Sequence, residues 1–307
     1  MIPAILSSIV FLTTLILIFT EKLNRVIASA IGAVIMVIIG LFFNFYDESH
    51  ALASVDFNTV GLLLGMMVIV AILEPTGFFQ YLAITVSKRS KGKPFRLLIL
   101  LGAITTIISM FLDNVTTVVL IAPVTILICE ILGLNPLPYL MAEALLSDTG
   151  GIATLIGDPP NIIIGSAAGF TFVDFLTHSL PIIVVVWFVA LLILRLLFKK
   201  ELSAVPSNLE TLQDLNPKNA LNDPVSAKKV IIVIGIAVVF FFLEELLEIQ
   251  PSLVALGAAA LILVWVRPPI QETLKRVHWD VLIFFIALFI LIGGLEASGV
   301  MGLVAKQ

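Results

Sequence analysis

The sequence predicts an all-α fold, a polytopic transmembrane helical bundle, and three observations favour this fold class. Hydrophobic residues make up 60% of the 307-residue chain and charged residues only 12%, whereas soluble domains average about 45–50% and about 25%. The mean hydropathy is +1.17. The apolar residues also fall in stretches long enough to span a bilayer, which takes about 17–25 residues. Together these features exclude an ordinary globular enzyme and a disordered chain.

The charge balance and the cysteine count exclude further classes of protein. A formal net charge of −4 and a pI of about 5.4 argue against a nucleic-acid partner. The single cysteine, Cys129, excludes a disulfide framework and a thiolate metal cage. We expect no enzymatic activity and no cofactor beyond a coupling ion, because the spans contain neither a His/Glu metal spacing nor a Ser/Lys pair.

Apolar stretches follow one another along the chain and predict its helices in order. They are 3–20, 26–45, 59–86, 97–112, 115–132, 179–198, 228–246, 252–266 and 279–300. The first has no basic leader and no small-residue cleavage site, so we expect a retained helix. The further stretch 139–172 is interrupted by Asp148 and by the run Gly157 to Asn161.

Basic residues concentrate in alternate loops and predict the orientation. Loops 21–25, 88–96, 199–228 and 267–278 are basic, whereas the turns between them are acidic. The positive-inside rule places the basic loops in the cytoplasm and the N-terminus, 46–58 and 247–251 outside. We therefore expect a multi-pass protein of the inner or plasma membrane.

Two similar segments indicate an internal repeat. The motif Leu73-Glu74-x-x-Gly77 recurs as Leu295-Glu296-x-x-Gly299, and the charge pattern gives the two copies opposite orientations. Inverted repeats of this kind are the architecture of many secondary transporters.

The repeat predicts three segments. The first is an inverted repeat over 1–200, which contains scaffold helices, a hairpin and a broken helix. The second is a cytoplasmic linker over 201–227. The third is the start of a second repeat over 228–307. The second copy stops where the first continues into its most polar part, so we expect an incomplete second repeat.

Residues 97–194 contain no lysine or arginine but six carboxylates: Asp113, Glu130, Glu143, Asp148, Asp158 and Asp174. A charged side chain at membrane depth costs about 2.5–3.5 kcal/mol or more. Binding of H⁺ or Na⁺, or a helix N-terminus, would neutralise such groups. Glu130 and Glu143 fall near predicted helix ends, where we expect interfacial exposure, and we expect Asp174 outside. Glu74 is a secondary candidate, with either a helix-breaking or a proton-carrying role.

The run Asp113-Asn114-Val115-Thr116-Thr117 lies between two apolar arms within 97–132. The arms form either two full spans with an outer turn or a re-entrant hairpin with its tip at mid-membrane. In the hairpin, the second arm begins with free backbone N–H groups, Asp113 is the candidate N-cap, and the threonines add hydroxyl groups.

The run from Gly150 to Asn161 predicts a discontinuous helix broken near 157–161. Pro159 and Pro160 cannot continue a hydrogen-bonded helix. Irregular backbone at membrane depth is tolerated only where it is buried or lines a cavity. Its carbonyls can bind Na⁺, and Thr154, Asp158 and Asn161 add side-chain oxygens. A loop between two short spans is the alternative.

These two motifs together resemble the ion transporter superfamily. The similarity is to the branch with a citrate-transporter-like domain that includes arsenical-pump membrane proteins, type D sodium/proton antiporters and the melanosomal P protein. It extends from about residue 5 to the end. In this chain Asp148 stands where such proteins often have an uncharged polar residue.

The resemblance implies a scaffold domain and a transport domain, a homodimer, a re-entrant hairpin over 97–132 and a helix break at 157–161. It implies a coupling cation, for example sodium, at Asn114 and the backbone around Gly157. The remaining candidate site residues are Asp113, Thr116, Thr117, Thr154, Asp158, Pro160 and Asn161, with Asp148 as a secondary candidate.

The sequence thus favours a cation-coupled secondary transporter of inorganic ions, either arsenite or antimonite efflux or sodium–proton antiport. We expect Na⁺ or H⁺ as the coupling ion, with Asp113 and Asp158 exchanging it. The expected partners are a small inorganic ion or small anion, the lipid bilayer and a second copy. Transport of a dicarboxylate or other anion is one alternative. A non-transporting fragment or subunit that needs a partner half is the other.

Overall fold

The structure, a computed structural model, describes residues 2–300 and 302. The described residues form α-helices, three short 3₁₀ turns and no strand, so the all-α prediction is confirmed. The helices are α1 (Ile2–Phe19), α2 (Arg25–Phe42), α3 (Glu48–Ala53), α4 (Phe57–Leu73), α5 (Phe78–Arg89), α6 (Pro94–Ser109), α7 (Asn114–Leu132), α8 (Leu137–Gly151), α9 (Pro159–Ala168), α10 (Phe172–Leu197), α11 (Leu209–Asp214), α12 (Pro224–Phe242), α13 (Glu244–Leu247), α14 (Pro251–Val266), α15 (Ile270–Arg276) and α16 (Trp279–Ala297).

Seven stretches within the described residues are long and apolar enough to cross a membrane. They are α1, α2, Phe57–Thr76, α7, α10, α12 and α16. Helices α6 and α14 are apolar but shorter. The prediction of a multi-pass membrane protein is therefore confirmed.

The stretch predicted as one span over 59–86 is two helices. Helix α4 ends at Leu73, a 3₁₀ turn follows over Glu74–Thr76, and α5 begins at Phe78. Between them Gly77 adopts a left-handed conformation with φ of 77°, which favours glycine. Pro75, which lacks a backbone N–H, ends the regular helix just before it.

Helix α10 begins earlier than the predicted span 179–198, at Phe172. The Thr171 and Asp174 side chains form a capping box: the Asp174 N–H donates to Thr171 Oγ1 at 3.1 Å, and Thr171 N donates to Asp174 Oδ2 at 3.2 Å. This reciprocal capping satisfies N–H groups at the helix start, which explains the additional turns.

The described residues form two compact units. One contains the chain up to Val60 and the chain from His278 onward, and the other is Gly61–Val277. In the first unit α16 packs with α1, α2 and α3. The Arg25 and Asp280 side chains, 3.9 Å apart, join the starts of α2 and α16. Both helices therefore begin on one side, as the charge pattern predicts.

These units do not coincide with the predicted repeat halves, because α16 packs with the first helices, so the repeat division stays a prediction. One local feature supports it. The repeat-related glycines Gly77 and Gly299 both adopt the left-handed conformation, with φ of 77° and 83°. Each lies just beyond the end of a long apolar helix, α4 or α16.

The second unit is built around α8, which packs against α6, α7 and α10. Helices α6 and α7 pack against each other as the hairpin expected over 97–132. Its depth in a membrane stays a prediction. Two hydroxyl groups of α6 form hydrogen bonds with the backbone of α8. Thr106 Oγ1 donates to the Leu146 carbonyl at 3.1 Å, and Ser109 Oγ donates to the Ser147 carbonyl at 2.7 Å.

The polar segment between α10 and α12 contacts both ends of this hairpin. Ser207 N donates to the Leu132 carbonyl at 2.8 Å, at the end of α7. Gln213 Nε2 donates to the Lys88 carbonyl at 3.4 Å, in the last turn of α5, just before the loop that leads into α6. The two ends of the hairpin therefore lie on the same side of the unit as this segment, as the charge pattern predicts.

Candidate functional site

The tip of the hairpin is the turn between α6 and α7. Helix α6 ends at Ser109 and α7 begins at Asn114. Asp113 has extended backbone, and its Oδ1 accepts a hydrogen bond from Thr116 N at 2.9 Å. The expected N-cap is therefore present, and the negative carboxylate lies at the positive end of the α7 dipole.

The discontinuous helix is confirmed, although its interruption lies at 152–158 rather than 157–161. Helix α8 ends at Gly151 and α9 begins at Pro159. The two prolines occupy the first turn of α9. Proline is favoured there, because its missing N–H would have no helical partner and its fixed φ is preorganised for the helix. The prolines thus start a helix after the break.

The hairpin tip and the helix break meet at the Asn114 side chain. Asn114 Nδ2 donates to Asp148 Oδ1 at 2.8 Å. The Asp158 carboxylate also lies close enough to the Asn114 side chain to interact with it electrostatically. Asp158 is the N-cap residue of α9 but makes no capping hydrogen bond with its side chain. The structure thus brings carboxylates from both sides of the break near one residue of the tip.

Backbone atoms approach closely around this contact. A Cβ added at Gly157 would lie 2.5 Å from the Gly151 carbonyl oxygen and 2.9 Å from that of Ser109. A Cβ added at Gly151 would lie 2.6 Å from Asn114 Oδ1, a buried oxygen with no hydrogen-bond partner among the described residues. Side-chain and carbonyl oxygens from three segments are thus crowded together. We name Asp113, Asn114, Asp148, Gly157 and Asp158 the tip–break junction.

Thr154 and Asn161 hold the break in place. Thr154 Oγ1 donates to the Met110 carbonyl at 2.5 Å. Asn161 Nδ2 donates to the carbonyls of Gly151 at 2.8 Å and Thr154 at 2.9 Å. Both side chains are buried, at 2% and 6% exposure. Their predicted role in binding an ion or substrate stays a prediction, since these donors are bound to protein backbone.

The other predicted site residues differ in accessibility. Thr117 is buried, and its Oγ1 has no partner in the described part of the chain. Thr116 is half-buried and Pro160 is exposed. Glu74 lies at the end of α4, where its Oε2 is 3.4 Å from Arg276 Nη1, so the structure places this carboxylate in an ion pair.

The expectation that Glu143 is interfacial is wrong. Glu143 is 0% exposed, and its Oε1 is hydrogen-bonded to Thr125 of α7. It lies one helical turn after Tyr139, which is also buried, at 1% exposure. This i, i+4 spacing is the signal that the residue belongs to the buried face of α8. Glu130, in contrast, is exposed as expected.

Sequence reasoning also missed Thr106 and Trp187. Trp187 Nε1 of α10 donates to Thr106 Oγ1 at 3.1 Å, so one hydroxyl connects α6, α8 and α10. The types of residue alone predict no such contact, since buried threonines are common in apolar helices.

A further buried carboxylate lies at the opposite end of the unit from the basic loops. Glu244 Oε1 accepts a hydrogen bond from Phe172 N, the first residue of α10, at 2.6 Å. Burial raises the pKa of Glu244, and the nearby Asp174 and Glu245 carboxylates add to this shift. The contact connects the start of α13 to the start of α10.

Among the described residues, no basic side chain forms an ion pair with the tip–break junction. The junction carries three carboxylates, and residues 97–194 contain no lysine or arginine. In the part of the chain that the structure describes, no three His, Cys, Asp or Glu side chains are grouped as metal ligands. A cation bound there would therefore depend on carbonyl and amide oxygens as well as carboxylates.

A multi-pass helical bundle in which a hairpin tip meets a broken helix defines a membrane transporter. The chain belongs to the citrate transporter family, since that family's model matches residues 15–307.

Three named relatives are similar to this chain over most of its length. A 46 kDa membrane protein of Mycobacterium leprae is 40% identical over 306 residues, which cover 99% of this chain and 71% of that protein. An uncharacterized transporter of Mycobacterium tuberculosis is 41% identical over 306 residues, with the same two coverages. The P protein of Homo sapiens is 30% identical over an alignment of 364 positions, which includes 95% of this chain and 43% of that protein.

Proposed function

We propose that this chain is a cation-coupled secondary active transporter of inorganic ions, in which the coupling ion and the substrate meet at the tip–break junction. The main supporting observation is the Asn114 amide, which is hydrogen-bonded to Asp148 and also interacts with the nearby Asp158 carboxylate. Carboxylates at membrane depth without a basic partner need a cation or a proton, and alternate loading with these ions is what coupled transport requires.

Among inorganic ions, sodium–proton antiport is favoured over arsenite or antimonite efflux. Carboxylate and carbonyl oxygens are hard ligands that suit cations such as Na⁺, whereas soft thiolates suit softer metals. Cys129 is the only cysteine, and its side chain is 0% exposed. Metalloid coordination by sulfur therefore has no accessible ligand in this chain. Arsenite would have to pass as a neutral molecule.

The sodium site we propose uses Asn114 Oδ1 and the backbone around Gly157. Asn114 Oδ1 is buried without a hydrogen-bond partner among the described residues, so it has lone pairs to offer. Asp113 and Asp158 are the groups proposed to exchange sodium for protons. The resemblance to the antiporter branch supports a homodimer in the inner or plasma membrane.

An anion substrate, such as a dicarboxylate, is the second candidate, because α7 and α9 both begin at the junction and helix N-termini attract anions. The description of the family as citrate transporters also favours an anion. Two features weaken this alternative. Pro159 and Pro160 remove two N–H donors from α9, and Asp113 already occupies the start of α7.

The test is flux in liposomes that contain the purified chain. Radioactive sodium, arsenite and citrate are supplied in turn, with and without a pH gradient. We expect sodium uptake driven by an acidic interior and no citrate uptake. Arsenite movement without sodium movement would support metalloid efflux, and citrate uptake would support the anion alternative. No flux of any of the three would contradict the transporter proposal and favour a subunit that needs a partner half.

A further inference from the structure

Glu143 is a buried carboxyl group that the tip–break junction does not use. It lies in the middle of α8, five residues before the Asp148 that contacts Asn114, and its side chain is 0% exposed. Its Oε1 is hydrogen-bonded to the hydroxyl of Thr125 on α7. Its Oε2 is buried and has no hydrogen-bond partner in the described part of the chain.

No positive charge compensates this group. The elements packed against α8 are α6, α7 and α10. Besides Glu143 itself, the ionisable side chains on these helices are Arg96 on α6, Cys129 and Glu130 on α7, Tyr139 and Asp148 on α8, and Asp174, His178 and Arg195 on α10. Arg195 lies instead over the Phe95 ring, 4.7 Å from its centroid, and within the described residues Glu143 forms no ion pair.

We propose that Glu143 is a second proton-binding site of this chain, between α7 and α8 and separate from the tip–break junction. A carboxylate that is removed from water and has no cationic partner is disfavoured relative to its neutral form. The neutral carboxyl group fits the observed contacts, because its O–H can be donated to the Thr125 hydroxyl, which also accepts hydrogen bonds.

The contact between Glu143 and Thr125 connects the protonation of Glu143 to the position of the hairpin α6–α7. Thr125 lies on the second arm of the hairpin, and Glu143 lies on the helix whose end contacts the hairpin tip. Glu143 releases its proton to water when α7 and α8 part, by breaking the carboxyl O–H bond and leaving a carboxylate. It takes the proton back before the helices close. This inference rests on the proposed coupled transport and identifies a proton as one coupling ion.

The first experiment measures protonation and does not depend on transport. Infrared spectra of the full chain in liposomes are recorded against pH for the unmodified protein, for Glu143→Gln and for Glu130→Gln. Glu130 is the matched control, a glutamate on α7 that is exposed. We expect the C=O band of a protonated carboxyl at neutral pH in the unmodified protein and in Glu130→Gln, and its loss in Glu143→Gln. If Glu143→Gln instead keeps the C=O band of the protonated carboxyl and loses only intensity in the carboxylate bands, Glu143 is ionised in the unmodified protein and the proposal is overturned.

A second variant covers the case in which Glu143→Gln does not fold. Thr125→Val keeps the shape of the side chain but removes its hydroxyl. We expect the C=O band of the protonated carboxyl to shift in frequency, since its hydrogen bond is lost. An unchanged band would overturn the assignment of that band to Glu143.

Flux measurements then distinguish a role of Glu143 in ion coupling from a role in helix packing. In liposomes, Glu143→Gln is expected to retain exchange of radioactive for unlabelled sodium at equal pH on both sides, and to lose uptake driven by a pH gradient. Retained gradient-driven uptake would overturn the proposal. Loss of both activities in a folded protein would do the same, because it would indicate a packing role. If the unmodified chain moves no sodium, the proposed function fails, while the infrared band still decides the state of Glu143.

Discussion

Asn114 Nδ2 donates a hydrogen bond to Asp148 Oδ1 at 2.8 Å, across 34 residues of sequence. This contact joins the tip of the hairpin α6–α7 to the last turn of α8, just before the helix is interrupted. Because Asp158, beyond the interruption, also interacts with the Asn114 side chain, this one side chain is in contact with both sides of the break. A movement of the hairpin tip would therefore change the surroundings of both carboxylates together.

Replacing Asn114 by alanine tests this relationship. Asn114→Ala removes the hydrogen-bond donor to Asp148 and the unpartnered Oδ1 that we assign to sodium. A hydrogen bond to a charged group contributes about 1.5–3 kcal/mol. We expect sodium-dependent flux to fall to the level of protein-free liposomes, with normal protein yield. Asn135→Ala, in the exposed turn after α7, is the control and should transport normally. Normal flux in Asn114→Ala would contradict the proposed site.

Neutralising the carboxylates at the N-cap positions of α7 and α9 tests cation exchange. Asp113→Asn and Asp158→Asn keep the size of the side chains, and asparagine is as good an N-cap as aspartate. Folding, measured by size-exclusion chromatography, should therefore be unaffected. We expect each variant to lose ion-dependent flux, because the exchangeable charge is gone. Flux at the unmodified rate in either variant would remove that aspartate from the assignment.

The close packing of α8 against α6 predicts a steric effect on stability. A Cβ added at Gly150 would lie 2.3 Å from the Thr106 carbonyl oxygen and 2.9 Å from its Cα, and these backbone atoms cannot rotate away. We expect Gly150→Ala to lower the free energy of unfolding by about 1–3 kcal/mol.

The control is Gly235→Ala in α12, where no atom lies within 4 Å of the added Cβ. That substitution should leave stability unchanged or raise it by up to about 1 kcal/mol, because alanine favours helix. Thermal unfolding in detergent measures both variants. Equal melting temperatures for the two would refute the tight α6–α8 contact.

The raised pKa of Glu244 predicts a pH dependence of stability. Burial, and to a lesser degree Asp174 and Glu245, raise this pKa above its ordinary value of 4.5. The folded state then binds the proton more tightly than the unfolded state. The stabilisation is therefore fully present below pH 4.5 and is lost as the pH rises through the raised folded-state pKa.

Glu244→Gln should abolish this loss, since glutamine does not ionise and can still accept the hydrogen bond from Phe172 N. We expect the variant to unfold at a higher temperature than the unmodified protein above this pH window and at a similar temperature below it. Glu248→Gln, an exposed glutamate nearby, should behave like the unmodified protein. The idea fails if Glu244→Gln and the unmodified protein show parallel pH profiles.

Loop contacts predict which cysteines a membrane-impermeant thiol reagent reaches from each side. In a Cys129→Ala background, Lys93→Cys and Gln213→Cys should react only from the cytoplasmic side. Lys93 belongs to a basic loop that contacts the segment containing Gln213. Ser49→Cys, in an acidic outer turn, should react only from outside. Reaction of Lys93→Cys and Gln213→Cys from opposite sides would contradict the shared surface of these loops.

Much of the fold could be predicted because its signals are local. The apolar stretches predicted the long helices, and Asp113 was predicted as the cap that begins α7. The predicted bounds failed where a short feature ends a helix, as at Pro75 and Gly77, or starts one, as at Thr171. At the break, the prolines were predicted within the interruption, although they occupy the first turn of α9, where their missing N–H has no cost.

The amino-acid sequence by itself determined a multi-pass helical protein with a hairpin, a broken helix and carboxylates that lack basic partners. These properties depend on hydropathy, proline chemistry and charge, which act over a few residues. Only the tertiary structure decided that Asp148 and Asp158 both lie near Asn114 and that Glu143 faces Thr125. Such contacts depend on how α6, α7 and α8 pack, because two side chains distant in sequence meet only when the helices that hold them are fixed against each other.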